Sequence, residues 1–496
     1  EKARRQPSPC TPREPGREPV VQSVSTMAAR YPPSLALSLL CLVAVLLAAA
    51  TAAAPTVQGV SAERLFDQIE ALGELSDTTP PSITRVLYTE NDVRARDYVK
   101  GLMRDAGLEV REDSVGNIFG RLAGEDDSLA PVVSGSHTDA IPHSGKYDGV
   151  LGVLGAIEAL RAIRESGVTT RRPLEALMFA SEEPTRFGLS CIGSRAMCGR
   201  LDPDYLDTLR DENGTAFYEA VTSAGRGGGH ENTASILSAA LIPAGGIHAF
   251  VELHIEQGPL LEQEGLDIGV VTAIAAPASV SFDFVGNGGH AGALLMPYRK
   301  DAGLAAAELS LAVESWALGT KAIDTVATTG VLQVYPGAVN SVPRESHVEV
   351  DVRDIEEKRR DHVLDMIIKS AEQIADKRQC EMKYRIVNKD PPAPCADDVV
   401  AAVQDAADDL GFKSMRMVSR AYHDALFMAQ IAPTGMIFVP CKGGVSHRPD
   451  EFSSKRDMEN GVRTLALAMA KLAGVVEGEA AEGNGQERVV EGKSEL

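Results

Sequence analysis

From about residue 60 to residue 270, apolar runs alternate with segments patterned like helices. Pro131-Val132-Val133 reads as a buried strand leading into Gly135 and Ser136. Gly149 to Ile163 places apolar residues at helical spacing, with Asp148 just ahead of it. Leu174 to Ala180, Ile247 to Leu253 and Met436 to Val439 are three further apolar runs of strand length. Strands separated by helices predict an α/β layout with a largely parallel sheet. Residues 275–385 read differently. Ser279 to Val285 alternates, and Gly286-Asn287-Gly288-Gly289 then breaks the run. A long Ala/Leu/Glu helix covers Ala302 to Leu318. Strand-like runs return at Thr325 to Val334 and His347 to Val352, and a second helix spans about Glu356 to Lys377. This β-α-β-β-α order predicts a small α+β domain inserted into the larger one. The expected organisation is a first catalytic part over 60–274, an insertion over 275–388 and a second catalytic part over 389–473.

The two ends follow other patterns. Residues 1–26 are rich in Pro, Arg and Glu without periodicity, and Met27 is the expected start. Arg30, the apolar stretch Leu35 to Ala50 and the small residues Ala52, Ala53 and Ala54 have the layout of a secretory signal peptide cleaved near Ala54. An uncleaved anchor helix is the competing reading, but the stretch is short for a span of about 20 residues. Residues 474–496 are acidic and Gly-rich and read as a disordered tail. They end Lys493-Ser494-Glu495-Leu496, one substitution from a retention signal. With the signal peptide this points to the endoplasmic-reticulum lumen and to no stable membrane anchor after cleavage. Asn213-Gly214-Thr215 is a glycosylation sequon that such a route would expose.

The length of 496 residues and a hydrophobic fraction of 44% allow two sizeable cores. A formal net charge of −21 excludes nucleic-acid binding as the main role, because no basic patch exists to collect phosphates. The seven cysteines contain no CxxC pair. Cys191 and Cys198 are expected to be buried thiols, or a disulfide in an oxidising compartment.

The chemistry lies at the ends of the apolar runs. Gly135-Ser136-His137-Thr138-Asp139, Tyr147-Asp148-Gly149, Ser181-Glu182-Glu183-Pro184, Glu252-Leu253-His254 and Ser446-His447 set histidines and carboxylates among small residues. In α/β sheets that edge is where ligands bind. Each residue has an ordinary reading: a lone histidine is more often structural, an Asp-Gly is usually a turn, and a Glu pair is usually a solvated face. Their co-occurrence, in a chain with 10 histidines, favours a two-metal hydrolytic site. Asp148 is the candidate bridge, His137 and His254 the ligands of one cation, and Glu183 and His447 those of the other. Glu182 would be the general base, and Asp139 would orient the His137 ring. No Gly-x-Ser-x-Gly elbow supports serine catalysis.

Together with Gln257-Gly258-Pro259 and Pro449, these segments resemble the aminoacylase/carboxypeptidase-type dinuclear metallohydrolases over about residues 60–473. Within that group the chain is similar to the amidohydrolases of ureido compounds. Asp139 to Gly149, Pro184 to Gly188 and Ser419 to Asp424 look like the plant-type ureidoglycolate branch. The resemblance implies a mixed-sheet α/β catalytic domain with an inserted α+β dimerisation (lid) domain, a homodimer, and closure over substrate. It implies His137, Asp148, Glu183, His254 and His447 as metal ligands and Glu182 as base. Glu183, His254 and Gln257 would contact a small ureide substrate, and Asn340 and Arg353 would bind it. Tyr422 and His423 would line the pocket. His290 would reach across to the partner's site and polarise the reacting carbonyl. Two Mn2+ per subunit are implied, although three histidines and two carboxylates equally permit Zn2+. The expected reaction is hydrolysis of (S)-ureidoglycolate to glyoxylate, ammonia and carbon dioxide in purine breakdown. Alternatives are action on allantoate or N-carbamoyl amino acids, a metallopeptidase or aminoacylase, and a non-enzymatic metal-bound carrier.

Overall fold

The computed structural model describes residues 57–476. The leader, the signal-peptide segment, Cys10, Cys41 and the Lys493–Leu496 end lie outside them. Among the described residues no helix is long and apolar enough to cross a membrane.

The larger body is a nine-stranded mixed sheet. Its centre is four neighbouring parallel strands: Leu174–Met178, Val132–Ser136, Ala249–Ile255 and Thr434–Val439. Antiparallel neighbours flank them, Ile118–Leu122 on one side and Ile268–Ile274 on the other. Alternate residues of the central strands feed two cores. Val132, Leu174, Val251 and Leu253 face one core, which includes Val99 and Leu465, while Val133, Leu177 and Phe250 face a second with Phe427. Burial on both faces explains why these strands read as continuous apolar runs. The helix Val150–Glu165 is buried along most of its length, and its buried Glu158 is paired with Arg64 at 2.6 Å.

The inserted unit carries a four-stranded antiparallel sheet. Its order is Val326–Tyr335, Glu345–Asp354, Ala276–Val285, Glu381–Lys389. The helices Ala302–Gly319 and Glu357–Arg378 cover one face, and Phe282, Leu309, Val350 and Ile367 lie in the core between. The strand Glu381–Lys389 was not anticipated; it is a mostly exposed edge strand in which Met382, Tyr384 and Ile386 alternate with charged residues. Its register beside Val280, Phe282 and Phe284 comes from tertiary pairing. The expected tail also starts too early: Arg171 donates to the Gly474 carbonyl at 2.6 Å, and Val476 donates to the Thr169 carbonyl at 2.9 Å. The five cysteines among the described residues are free, so Cys191 and Cys198 form no disulfide.

One buried ion pair ties the first helices to the site. Arg96 is fully buried, pairs with Asp92 at 2.8 Å, and donates to the carbonyls of Gly116 and Ala180. Ala180 leads directly into the Glu182-Glu183 turn. Removing one partner of a buried pair leaves the other charge uncompensated. Arg96→Met is therefore expected to lower unfolding free energy by about 3–5 kcal/mol. Urea titration reads this out, and a loss below about 1 kcal/mol would contradict the assignment.

Candidate metal centre and active site

The sheet delivers its chemistry to one edge. His137 directly follows Val132–Ser136, the Glu182-Glu183 pair follows Leu174–Met178, and His447 follows Thr434–Val439. His254 was expected just beyond a strand end. It lies within Ala249–Ile255, because that strand runs two residues further than the apolar run Ile247 to Leu253 indicates. Asp148 stands in the turn before the helix Val150–Glu165, where Gly149 has φ +65°. A Cβ at Gly149 would lie 2.3 Å from His137 Nε2, so only glycine lets the chain pass this close to the ring.

Asp148 is the meeting point. Its Oδ1 is 3.0 Å from His254 Nε2 and 3.5 Å from His137 Nε2, and its Oδ2 is 3.2 Å from His447 Nε2. His447 Nε2 is in turn 3.1 Å from Glu183 Oε1. Two donor groups result, His137–Asp148–His254 and Asp148–Glu183–His447, each with its atoms within 4.8 Å of one another. The remaining ring nitrogens of the two buried histidines face backbone carbonyls. His137 Nδ1 is 3.0 Å from Asp139 O, and His254 Nδ1 is 2.8 Å from Ile255 O. A ring that donates Nδ1–H to a carbonyl presents the Nε2 lone pair to a cation.

The electrostatics fit cations. Burial pushes the Asp148 carboxyl up, yet hydrogen bonds from His137, His254 and His447 outweigh it and hold the group well below the usual range. Burial pulls His137 and His254 down, and the facing carboxylates reverse this and raise both. Hydrogen bonds to Asp148 and Glu183 push His447 up to about 11. One carboxylate thus faces three imidazole nitrogens, a donor set to which two divalent cations would supply the positive charge. Burial first, then the charge of Glu183, push Glu182 well up.

Several surrounding groups were not legible in the sequence. Glu451 accepts the backbone N–H of Tyr147 at 2.8 Å and of Asp148 at 3.0 Å. Ser446 Oγ lies 2.8 Å from Asp148 Oδ2 and 3.0 Å from Glu451 Oε2. Arg85, buried, donates to the Thr138 carbonyl beside His137 at 2.5 Å. A sequence pattern can mark Ser446, next to His447, but nothing local marks Arg85 or Glu451. A third buried group, Glu252, His254 and His423, lies close by. Glu252 is already satisfied by Ser136 Oγ at 2.7 Å and Ala425 N at 2.9 Å, which suits a supporting role.

Other candidates differ from expectation. Asp139 lies near the His137 ring, its Oδ1 3.3 Å from Nδ1, but the closer contact to that nitrogen is its own carbonyl. Its carboxylate accepts from Ser181 Oγ at 2.9 Å and from the N–H groups of Glu182 and Glu183 at 3.0 and 2.9 Å. It therefore fixes the Glu-Glu turn in addition to facing the His137 ring. His423 was expected to line the pocket, yet it is buried behind it, edge-on to His254 at 4.7 Å, with Nε2 2.8 Å from Ser419 Oγ. Tyr422, the preceding residue, does line the cavity, as do Gln257 and Arg353. Gln257 Nε2 donates to Asp148 Oδ2 at 2.8 Å. Arg353 is paired with Asp351 at 3.0 Å and donates to the Arg420 carbonyl at 3.1 Å. His290 and Asn340 are exposed on the inserted unit, outside the cavity of their own chain. The two-residue strands Gly289–His290 and Ser341–Val342 bring them together, with Ala291 N donating to Asn340 O at 2.9 Å. The cavity holds about 320 Å³, with Glu182 and Glu183 in its wall.

Residues 133–471 match peptidase family M20/M25/M40. The chain belongs to that family. Among curated relatives it is 55% identical to ureidoglycolate hydrolase of Arabidopsis thaliana, over 84% of this chain and 87% of that protein. It is 54% identical to ureidoglycolate hydrolase of Oryza sativa subsp. japonica, over 84% and 85%. Against the crystal structure of AtUAH in complex with (S)-hydroxyglycine the TM-score is 0.77 at 54% identity, covering 84% of this chain and 99% of that one. Within the M20/M25/M40 family this chain is a metal-binding amidohydrolase with candidate residues for two cations.

Gly149→Ala tests the close approach of backbone to ring. Affinity for divalent metal is expected to fall by roughly 10-fold or more with the fold retained. Metal analysis of the dialysed protein beside its circular dichroism measures this; unchanged metal content would contradict the geometry.

Proposed function

We propose that this protein hydrolyses (S)-ureidoglycolate in ureide breakdown, with two divalent cations, Mn2+ by preference, held by His137, Asp148 and His254 and by Asp148, Glu183 and His447. The observation that carries the reading is one carboxylate, Asp148, shared by two donor groups beside a cavity of about 320 Å³, in a chain 55% identical to ureidoglycolate hydrolase of Arabidopsis. Ammonia and carbon dioxide leave first, and the remaining hydroxyglycine collapses to glyoxylate and a second ammonia.

A ureido carbonyl is a poor electrophile, since two nitrogens donate into it. When bound, the cations make water acidic near neutral pH and draw charge from a carbonyl oxygen. Glu182 takes the proton of the attacking water on its carboxylate and returns it to the leaving nitrogen. Asp139 holds the backbone of Glu182 and Glu183 together, so base and ligand keep one spacing. At the far side of the cavity, Arg353 meets the substrate carboxylate as a bidentate donor. Gln257 and the Tyr422 hydroxyl face the ureido group.

His290 and Asn340 act in a homodimer formed through the inserted unit, where His290 stabilises the charge on the reacting carbonyl of the partner's site. Supporting this, both residues stand exposed on an inserted unit that also exposes apolar side chains, Leu295, Met296, Leu332 and Tyr335 among them. The chain works in the endoplasmic-reticulum lumen, a reading supported by the sequence pattern of residues 27–54 and of the last four.

Glu182→Gln is expected to keep its metal and lose roughly 10²–10⁴-fold in kcat. Near-normal turnover would reject Glu182 as the base. Offering ureidoglycolate, allantoate and an N-carbamoyl amino acid to the Mn2+-loaded enzyme decides the substrate. Glyoxylate and ammonia without urea, from ureidoglycolate alone, is the expected result; turnover of another ureide would move the specificity. Mixed dimers of His290→Ala and Glu182→Gln protomers should regain activity through one intact site, and inactive verified heterodimers would exclude a shared site. In fractionated cells the tagged chain should resist protease in microsomes until detergent is added; digestion without detergent would refute lumenal residence.

A further inference from the structure

Two chain segments join the inserted unit to the larger body, one between Ile274 and Ala276 and one after Lys389. Arg360, fully buried on the inserted unit's helix Glu357–Arg378, donates to the carbonyls of both segments, Ala276 and Asp390. The Asp390 side chain turns the other way, into the larger body. Its carboxylate accepts from Arg195 Nη1 at 3.2 Å and Nη2 at 2.6 Å, and from the Tyr422 hydroxyl at 2.5 Å. Arg195 also donates to Tyr422 Oη at 2.8 Å and to the Ser190 carbonyl at 3.0 Å. Tyr422 and Ser190 both line the cavity.

Asp390 is therefore a single residue whose backbone is gripped by the inserted unit and whose carboxylate holds a wall of the pocket. The loop bearing Tyr422 is tied to the insertion elsewhere too. Ala275 N donates to the Ser419 carbonyl at 2.8 Å, and Arg420 pairs with Asp324 at 2.5 Å. Any rotation of the inserted unit about its two connections must carry this loop or break these bonds. We infer that Asp390 is a positioning residue for substrate recognition: it sets the Tyr422 hydroxyl in register with the orientation of the inserted unit, so that the wall is shaped for a ureide. This rests on the reading of the cavity as the ureide site. It adds a physical link between the joint of the two bodies and a wall of the cavity.

The test is a double-mutant cycle on the Mn2+-loaded enzyme with Asp390→Ala, Tyr422→Phe and the pair, using whichever ureide the wild type hydrolyses best. Failure of the substrate reading then shows in the wild type, and failure of the coupling shows only in the cycle. Asp390→Ala is expected to raise KM roughly tenfold with kcat nearly unchanged, and to have less than about a twofold effect once Tyr422 is Phe. Asp390→Asn, which keeps an acceptor for Arg195 and Tyr422, should recover most of the loss. Equal effects in both backgrounds, or a loss confined to kcat, would overturn the proposal. Should Asp390→Ala not fold, the same cycle with Asp390→Ser, whose short side chain cannot reach Arg195 and Tyr422, decides: non-additivity with Tyr422→Phe supports the coupling and additivity overturns it.

Discussion

Everything in the site depends on holding a buried carboxylate, Asp148, against three imidazoles without letting it drift. A buried charge is tolerated only when its partners are fixed and its remaining lone pairs are satisfied. Here the partners come from far apart in sequence. His137, His254 and His447 converge because three parallel strands end at one edge, and the turn that offers Asp148 is pinned by the Glu451 carboxylate through two backbone N–H groups. Gly149 lets that turn pass against the His137 ring. The arrangement is set by backbone geometry, so cations would find it ready made.

The division of labour between the two bodies follows from the same geometry. The sheet edge supplies the reactive end of the cavity, where the ligand set tolerates little movement. The inserted unit and the Ser419–Asp424 loop supply the other end, through Arg353 and Tyr422. The two ends of the cavity are thus built from different bodies that are bonded to each other at Asp390 and Arg360.

The strands and their chemistry were readable because both faces are buried: Val132-Val133, Leu174 to Met178 and Met436 to Val439 each show an apolar run that breaks into polar residues at the ligand. The insertion was readable as a change of period at Ser279. Four things were hidden. Glu381–Lys389 mixes charged residues with Met382, Tyr384 and Ile386, and as an edge strand it is mostly exposed; its partners Phe282 and Phe284 lie far away in sequence. The Asp139 carboxylate faces the His137 ring as expected, but its second contact was hidden, because sequence adjacency to His137 says nothing of the turn at Ser181 to Glu183 that it braces across the sheet. His423 and Tyr422 are neighbours in sequence, but the loop sends one ring inward against His254 and the other into the cavity. Arg195, Arg360 and Asp390 look like ordinary surface charges until the fold buries them.

The pairing of Arg353 with Asp351 bears on how firmly any anion can be held. A free guanidinium would gain its full attraction on meeting a carboxylate. This one exchanges an internal carboxylate for an external one, so the number of ion pairs is unchanged and the net gain is small. In the proposed reaction such an exchange would keep Arg353 from binding every passing anion tightly, and it would ease the departure of a small carboxylate product, because Asp351 stands ready to take the place back.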